Sequence, residues 1–189
     1  MLKKVFLITG LLIALVAAGC SQSGADEENE SNGQETQENE SAENNGDADE
    51  KAVKSALLKT QMNLAEELRP HHSKIAGYEA MKADEENQPE EEELQAAGEE
   101  AQAAAGEAVS AVESFEVSEE LPETMKEEYN SALDSLKAYY DEAQSALKEA
   151  PEEADLSGAQ ENFDQFQEKL DSVYEEAGLL PVNMSSELS

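Results

Sequence analysis

The stretch LPETMKEEYNSALDSLKAYYDEAQSAL, residues 121–147, decides the fold class. Its apolar side chains fall at Leu121, Met125, Tyr129, Leu133, Leu136, Tyr140, Ala143 and Leu147, steps of three and four that line one face of a 3.6-residue helix. Acids and lysines fill the positions between. A helix of this kind cannot hide its stripe alone, so the spacing predicts a partner for it.

Working outward, the same step recurs on both sides. On the N-terminal side it runs through Leu94, Ala97, Ala101, Ala104, Ala108, Val112 and Phe115, and earlier through Val53, Leu57, Leu64, Leu68, Ile75 and Tyr78. On the C-terminal side it runs through Leu156, Ala159, Phe163, Phe166, Leu170, Val173 and Ala177. The punctuation agrees. Pro89 and Pro122 stand at helix starts, with Ser118 as a second cap for the third helix, and Glu90 to Glu93 place negative charge at the positive end of a helix dipole. Pro151 stops the third helix, Asp155 caps the fourth, and Gly178 follows its last stripe residue. No segment beyond the first twenty residues alternates with period two, so strands are not expected.

The expected fold is therefore all-α: a small antiparallel helical bundle of about four helices over residues 51–178, with a C-terminal tail at 179–189. Pro70 lacks an amide donor and crowds the preceding turn, which predicts a kink or break of the first helix near residues 66–69. A three-helix core with the first helix split in two is the nearest alternative. The alanine-rich second stripe predicts close backbone approach and modest stability. The tail Leu179-Leu180-Pro181-Val182 is expected to cover the end of the bundle, the alternative being a small docking patch.

Composition limits what such a bundle can do. The chain has 189 residues, 45 acids against 12 Lys and Arg, a formal charge of −33, 5% aromatics and no Trp. That charge argues against sequence-independent binding to nucleic acid or to an anionic bilayer face. Its distribution is uneven. Residues 51–86 are neutral, whereas residues 87–189 hold 28 acids against Lys126, Lys137, Lys148 and Lys169. One reading is solubility in a cation-rich exterior; the other is a face for cationic ligands such as divalent ions or a basic protein partner. Repulsion among uncompensated carboxylates predicts a domain that gains stability in moderate salt.

Residues 21–50 contain eleven acids, no Lys or Arg, and otherwise mostly Ser, Asn, Gln and Gly. Such a composition buries nothing, and it predicts a disordered acidic tether extended beyond the roughly 30 Å of a flexible coil. Before it, Lys3 and Lys4 precede an apolar run from Val5 to Val16 and then the small residues Ala17, Ala18 and Gly19. The run is shorter than the ~20 residues of a comfortable transmembrane helix, and the layout of residues 1–19 is that of a cleaved secretory signal.

The segment Val16-Ala17-Ala18-Gly19-Cys20 resembles the lipobox of bacterial lipoproteins, with Ala17 where Leu is most frequent. The resemblance covers the targeting segment alone. It implies that Cys20, the only cysteine, is diacylglyceryl-modified and becomes the new amino terminus, which anchors the chain to the extracytoplasmic face of a membrane. Two acyl chains at about 0.8 kcal/mol per buried methylene suffice for stable anchoring. The broad composition is similar to that of Gram-positive envelope lipoproteins.

Catalytic chemistry finds little support. His71 and His72 are adjacent, so on a helix they point about 100° apart and do not grip one ion together. Glu67 lies one turn before His71 as a weak ligand pair, yet Leu68 and Arg69 stand where a Glu-x-x-His motif needs glutamates. No nucleophile elbow, phosphate loop, dinucleotide fingerprint or Cys/His zinc pattern occurs. Carboxylate pairs such as Glu127-Glu128 and Glu175-Glu176 fall on solvated faces, and Tyr139-Tyr140 reads as one core ring and one flanking ring. No catalytic residue, metal ligand or cofactor is assigned. The expectation is a membrane-anchored protein with an acidic, non-catalytic interaction domain; the alternatives are a carboxylate-rich Ca²⁺-binding surface protein and an accessory subunit of an envelope transporter or secretion complex.

Overall fold

The computed structural model describes residues 41–84, 86 and 89–189, with side chains from Asp49 onward. Five helices follow in order: α1 (Ser41–Ala83), α2 (Glu91–Ser114), α3 (Glu123–Glu149), α4 (Ser157–Glu176) and the short α5 (Met184–Leu188). The four main helices pack antiparallel, and no strand occurs among the described residues. Helix α2 lies between α1 and α3, α4 packs on α3, and α5 lies against α1.

The stripes read from the sequence form the core. Every stripe residue of α3 and α4 is buried, together with the flanking Leu121, Leu156 and Ala177. Leu57, Leu64, Leu68, Ile75 and Tyr78 of α1 are buried as well, with Val53 partly so. Along α2 the buried positions are small: Gly98, Ala101, Ala104, Ala105, Ala108 and Val112. Small side chains admit a close neighbour. At Gly98 a Cβ would overlap the carbonyl of Pro151 in the turn after α3, so this glycine is a contact surface rather than a hinge. The α1/α4 seam is built differently, from Gln61, His72, Phe163 and Tyr174, and those long side chains bridge the two helices.

Helix ends follow local chemistry, with small shifts from expectation. Pro89 precedes α2 by two residues, and Glu90 caps the helix, its amide donating to the Glu93 carboxylate at 3.2 Å. Pro122 is itself the residue before α3, while Ser118 shapes the turn, its carbonyl accepting from the Leu121 amide at 3.1 Å. Pro151 follows the end of α3 at Glu149 and blocks continuation. Asp155 accepts the Ser157 amide at 3.0 Å at the start of α4, and this hydrogen bond, with that of the Ser157 hydroxyl, holds its carboxyl below the usual range. Gly178 adopts φ +67°, and the amides of Gly178 and Leu179 return to the carbonyls of Glu175 and Tyr174 at 2.9 and 2.8 Å. That is a Schellman ending, in which the left-handed residue is cheap only as glycine.

Three expectations need correction. Helix α1 begins at Ser41, so the last ten residues assigned to the tether, 41–50, are helical. A packed helix propagates past its last core residue at little cost once nucleated, and the acids that precede Lys51 suit the positive end of its dipole. Glu50 and Lys54 add an i,i+4 pair at 2.6 Å. Helix α1 is also continuous through Pro70 rather than split. Pro70 is exposed, and the core residues on either side, Leu68 and Ile75, keep one register. Finally, the tail contains α5, whose Met184 and Leu188 are fully buried. Leu179 and Val182 pack on the core as expected of a cover, while Leu180 is 86% exposed.

Candidate functional site

Residues 1–40, including the expected signal segment, Cys20 and residues 21–40 of the expected tether, lie outside the described residues. Among the described residues, the chemistry-bearing side chains gather in three places.

The first is the middle of the α1/α4 seam. His72 sits four residues after Leu68 and three before Ile75, so the stripe carries it inward, and it is buried. Its ring centroid lies 5.6 Å from that of Phe163 and 5.7 Å from that of Tyr139, and its Nδ1 is 3.2 Å from the Tyr140 hydroxyl. Tyr139, Tyr140, Phe163 and Phe166 continue the cluster edge to face. Burial pushes the His72 imidazole down to about 4, so the ring is neutral at physiological pH. Tyr139 is buried as well as Tyr140, which corrects the reading of a flanking ring: His72 and Phe163 close over it. His71 points the other way. Its Nδ1 lies 3.2 Å from Glu107 of α2, and no ion pair joins it to Glu67.

A second group lies where α1 ends against the α3–α4 turn. The Lys82 ammonium donates to the carbonyls of Glu153 and Ala154 at 3.1 and 2.6 Å, capping a chain end that has no further helical donors. Beside it, Tyr78, Glu79, Leu156 and Gln160 line an open cleft of about 460 Å³. Burial pushes the Glu79 carboxyl up, and Lys82 partly opposes the shift. A cleft of about 360 Å³ follows along α4, between Phe163, Gln167 and the tail from Pro181 to Asn183. Gln167 ties that tail down: its amide donates to the Val182 carbonyl at 2.7 Å, and its oxygen accepts the Met184 amide at 2.9 Å.

Carboxylates make the third group. Glu128 of α3 faces Glu176 of α4; desolvation first, then the neighbouring charge and a shared hydrogen bond, push the Glu128 carboxyl up. Neither of the adjacent pairs Glu127-Glu128 and Glu175-Glu176 acts as a unit, because one residue of each turns toward the other helix. Among the described residues no three His, Cys, Asp or Glu side chains are placed to hold a metal ion, and no helix is long and apolar enough to cross a membrane.

Several basic side chains act as ties between elements. Lys74 reaches Glu100 at 3.2 Å, Lys137 reaches Glu113 at 3.3 Å, and Lys169 donates to the Ser131 carbonyl and the Ser135 hydroxyl at 3.0 and 2.9 Å. Arg69 donates to the Glu187 carbonyl through Nε and Nη2, at 2.9 and 2.8 Å, and so fastens α5. Sequence reasoning did not assign His72 to the core or find α5; the 68–72–75 spacing was the available signal for the first, and the 184/188 spacing after Asn183 for the second.

The fold and these groups define the class: an acidic, all-helical antiparallel bundle with its aromatic and histidine chemistry turned inward. Comparison with family models, with curated proteins and with solved structures found no match to this chain.

Proposed function

We propose that the chain is a lipid-anchored lipoprotein of the extracytoplasmic membrane face whose acidic helical bundle acts by binding rather than by catalysis. The observation that carries the proposal is the position of the sole cysteine, Cys20, at the end of Val16-Ala17-Ala18-Gly19 after a short apolar run. The bundle supports the non-catalytic half. Its histidine is packed among rings, its phenols are buried, and the clefts described above are open and lined by side chains already tied to backbone carbonyls.

Metabolic labelling tests it directly. Palmitate is expected to mark the wild-type product and to leave the Cys20→Ser product unmarked, with mass spectrometry placing the lipid on the amino-terminal peptide. An unmodified Cys20 thiol in the envelope fraction refutes the anchor. A second reading, cation capture, draws on the net −24 of residues 87–189 and on the Glu128–Glu176 contact. Calorimetric titration with Ca²⁺ separates the two: a defined stoichiometry supports cation capture, and weak heat that salt abolishes supports the protein-binding reading.

A further inference from the structure

Where α1 ends against the α3–α4 turn, two short ladders of side chains meet. Tyr78 ends the buried stripe of α1, and Lys82, four residues on, stands one turn further along the same face. Leu156 and Gln160 keep the same spacing at the start of α4. With Glu79 at the rim, these side chains line the cleft of about 460 Å³. Most polar groups here are committed: Asp155 holds the amide and hydroxyl of Ser157, and the Gln160 side-chain nitrogen donates to Asp164 at 3.1 Å. Four groups have no partner among the described residues. Tyr78 is 1% exposed, yet its hydroxyl hydrogen has no acceptor, because the backbone group beside it, the Ala154 amide, is a donor too. An O–H buried in this way forfeits the hydrogen bond that water would give it. Lys82 uses two N–H groups on the carbonyls of Glu153 and Ala154 and keeps a third. Glu79 feels Lys82 as a neighbouring charge without an ion pair, and the Gln160 side-chain oxygen accepts nothing.

We propose that this cleft binds a small zwitterion, an apolar α-amino acid, with its carboxylate on Tyr78 and Lys82 and its ammonium on Glu79 and Gln160. The pairing follows from the groups left over, two donors of which one is charged and two acceptors of which one is charged. A lone anion would satisfy the donors but meets the repulsion of a chain at −33. A lone cation would satisfy Glu79 but leaves the Tyr78 hydroxyl unmatched, and it finds carboxylates over the rest of the surface as well. A molecule carrying both charges has no net charge and completes both halves. The Tyr78 ring and the Leu156 side chain supply an apolar wall for the ligand's own side chain, and the volume falls in the range of small-molecule sites. An ammonium beside Glu79 also offsets the burial that pushes this carboxyl up. The assignment rests on the binding half of the function proposed above, gives it a ligand class, and does not depend on lipid at Cys20.

Calorimetric titration of the full chain in mild detergent tests this, with L-leucine, L-leucinamide and 4-methylpentanoate as probes. Leucinamide lacks the carboxylate and 4-methylpentanoate lacks the ammonium, so each removes one half of the match. L-Leucine is expected to bind saturably at one site, and each half-probe at least about tenfold more weakly. Tyr78→Phe is expected to weaken L-leucine about fivefold and Glu79→Gln at least about tenfold, both with unchanged helical circular dichroism. Because Tyr78→Phe removes a donor that has no acceptor, its melting temperature should hold or rise, which separates a failure to bind from a failure to fold. The proposal is overturned if L-leucine gives no saturable heat up to about 10 mM, or if either half-probe binds as well as L-leucine. It is equally overturned if either variant binds L-leucine as tightly as the wild-type chain. Palmitate labelling is read separately: a labelled chain that does not bind L-leucine refutes the cleft alone, and an unlabelled chain that binds it refutes the anchor alone.

Discussion

His72 makes the pH response of this bundle readable at a single residue. Its folded value near 4 lies below the ~6.5 of an exposed imidazole, because burial among Tyr139, Tyr140 and Phe163 disfavours the charged form. Above about pH 6.5 both states are neutral and the residue contributes no pH dependence; as pH falls toward 4, the unfolded chain takes up a proton that the folded chain refuses. The linked loss reaches about 3 kcal/mol at pH 4. His72→Phe leaves the Tyr140 hydroxyl without its partner, a cost that does not vary with pH, and should flatten the difference in unfolding free energy between pH 7 and pH 4.5 relative to wild type. An unchanged difference would place the imidazole in water. Two tyrosines give a second contrast. The Tyr174 hydroxyl donates to Gln61 Oε1 at 2.8 Å, while the Tyr129 hydroxyl is buried with no hydrogen-bond partner. Denaturant titration is expected to show Tyr174→Phe costing about 1–2 kcal/mol, and Tyr129→Phe costing nothing or stabilising.

At the scale of the element, the helices differ in how openly the sequence declares them. Helices α3 and α4 were the most legible because their stripes use large apolar side chains with charges between, so periodicity places every stripe residue in the core, while Ala132, Ser135, Tyr139 and Tyr174, buried beside the stripes, escaped it. The break and tether boundary of α1 were misjudged, since Pro70 and the acidic composition of 41–50 argue locally against helix while the packed register on their C-terminal side argues for it. Proline costs a hydrogen bond, not a fold, when its ring faces solvent and the stripe resumes one turn later. Helix α5 was missed because its signal is a single 184/188 step after Asn183, too short to set it apart from a turn; tertiary ties from Arg69 and Gln167 make it. Its contribution is measurable: Met184→Ala should destabilise the bundle by about 2–4 kcal/mol in urea unfolding, comparable to a central core truncation rather than a tail change. A value near zero would mean that α5 does not occupy the seam in solution.

For the molecule as a whole, charge sets the terms. Three of the six cations of α1, Lys74, Arg69 and Lys82, reach Glu100, Glu187 and the α3–α4 turn, and the outer faces of α2, α3 and α4 keep carboxylates in excess. Exposed pairs such as Lys74–Glu100 are each worth under about 1 kcal/mol and weaken with salt, but the repulsion they fail to offset weakens too. The melting temperature is therefore expected to rise from dilute buffer to about 0.15 M salt, where the Debye length is near 8 Å, and to rise further with millimolar Ca²⁺. A melting temperature indifferent to ionic strength would show that the carboxylates are too dispersed to strain the bundle.

All five tyrosines of the chain, at 78, 129, 139, 140 and 174, are buried, and there is no Trp. Every ultraviolet chromophore of consequence thus sits inside the interior, and burial pushes all five phenols above their ordinary value. In alkali, the phenolate absorbance should stay silent past pH 10 and then emerge in one cooperative step as the bundle opens, so that the colour of ionised tyrosine becomes a direct meter of the unfolded fraction.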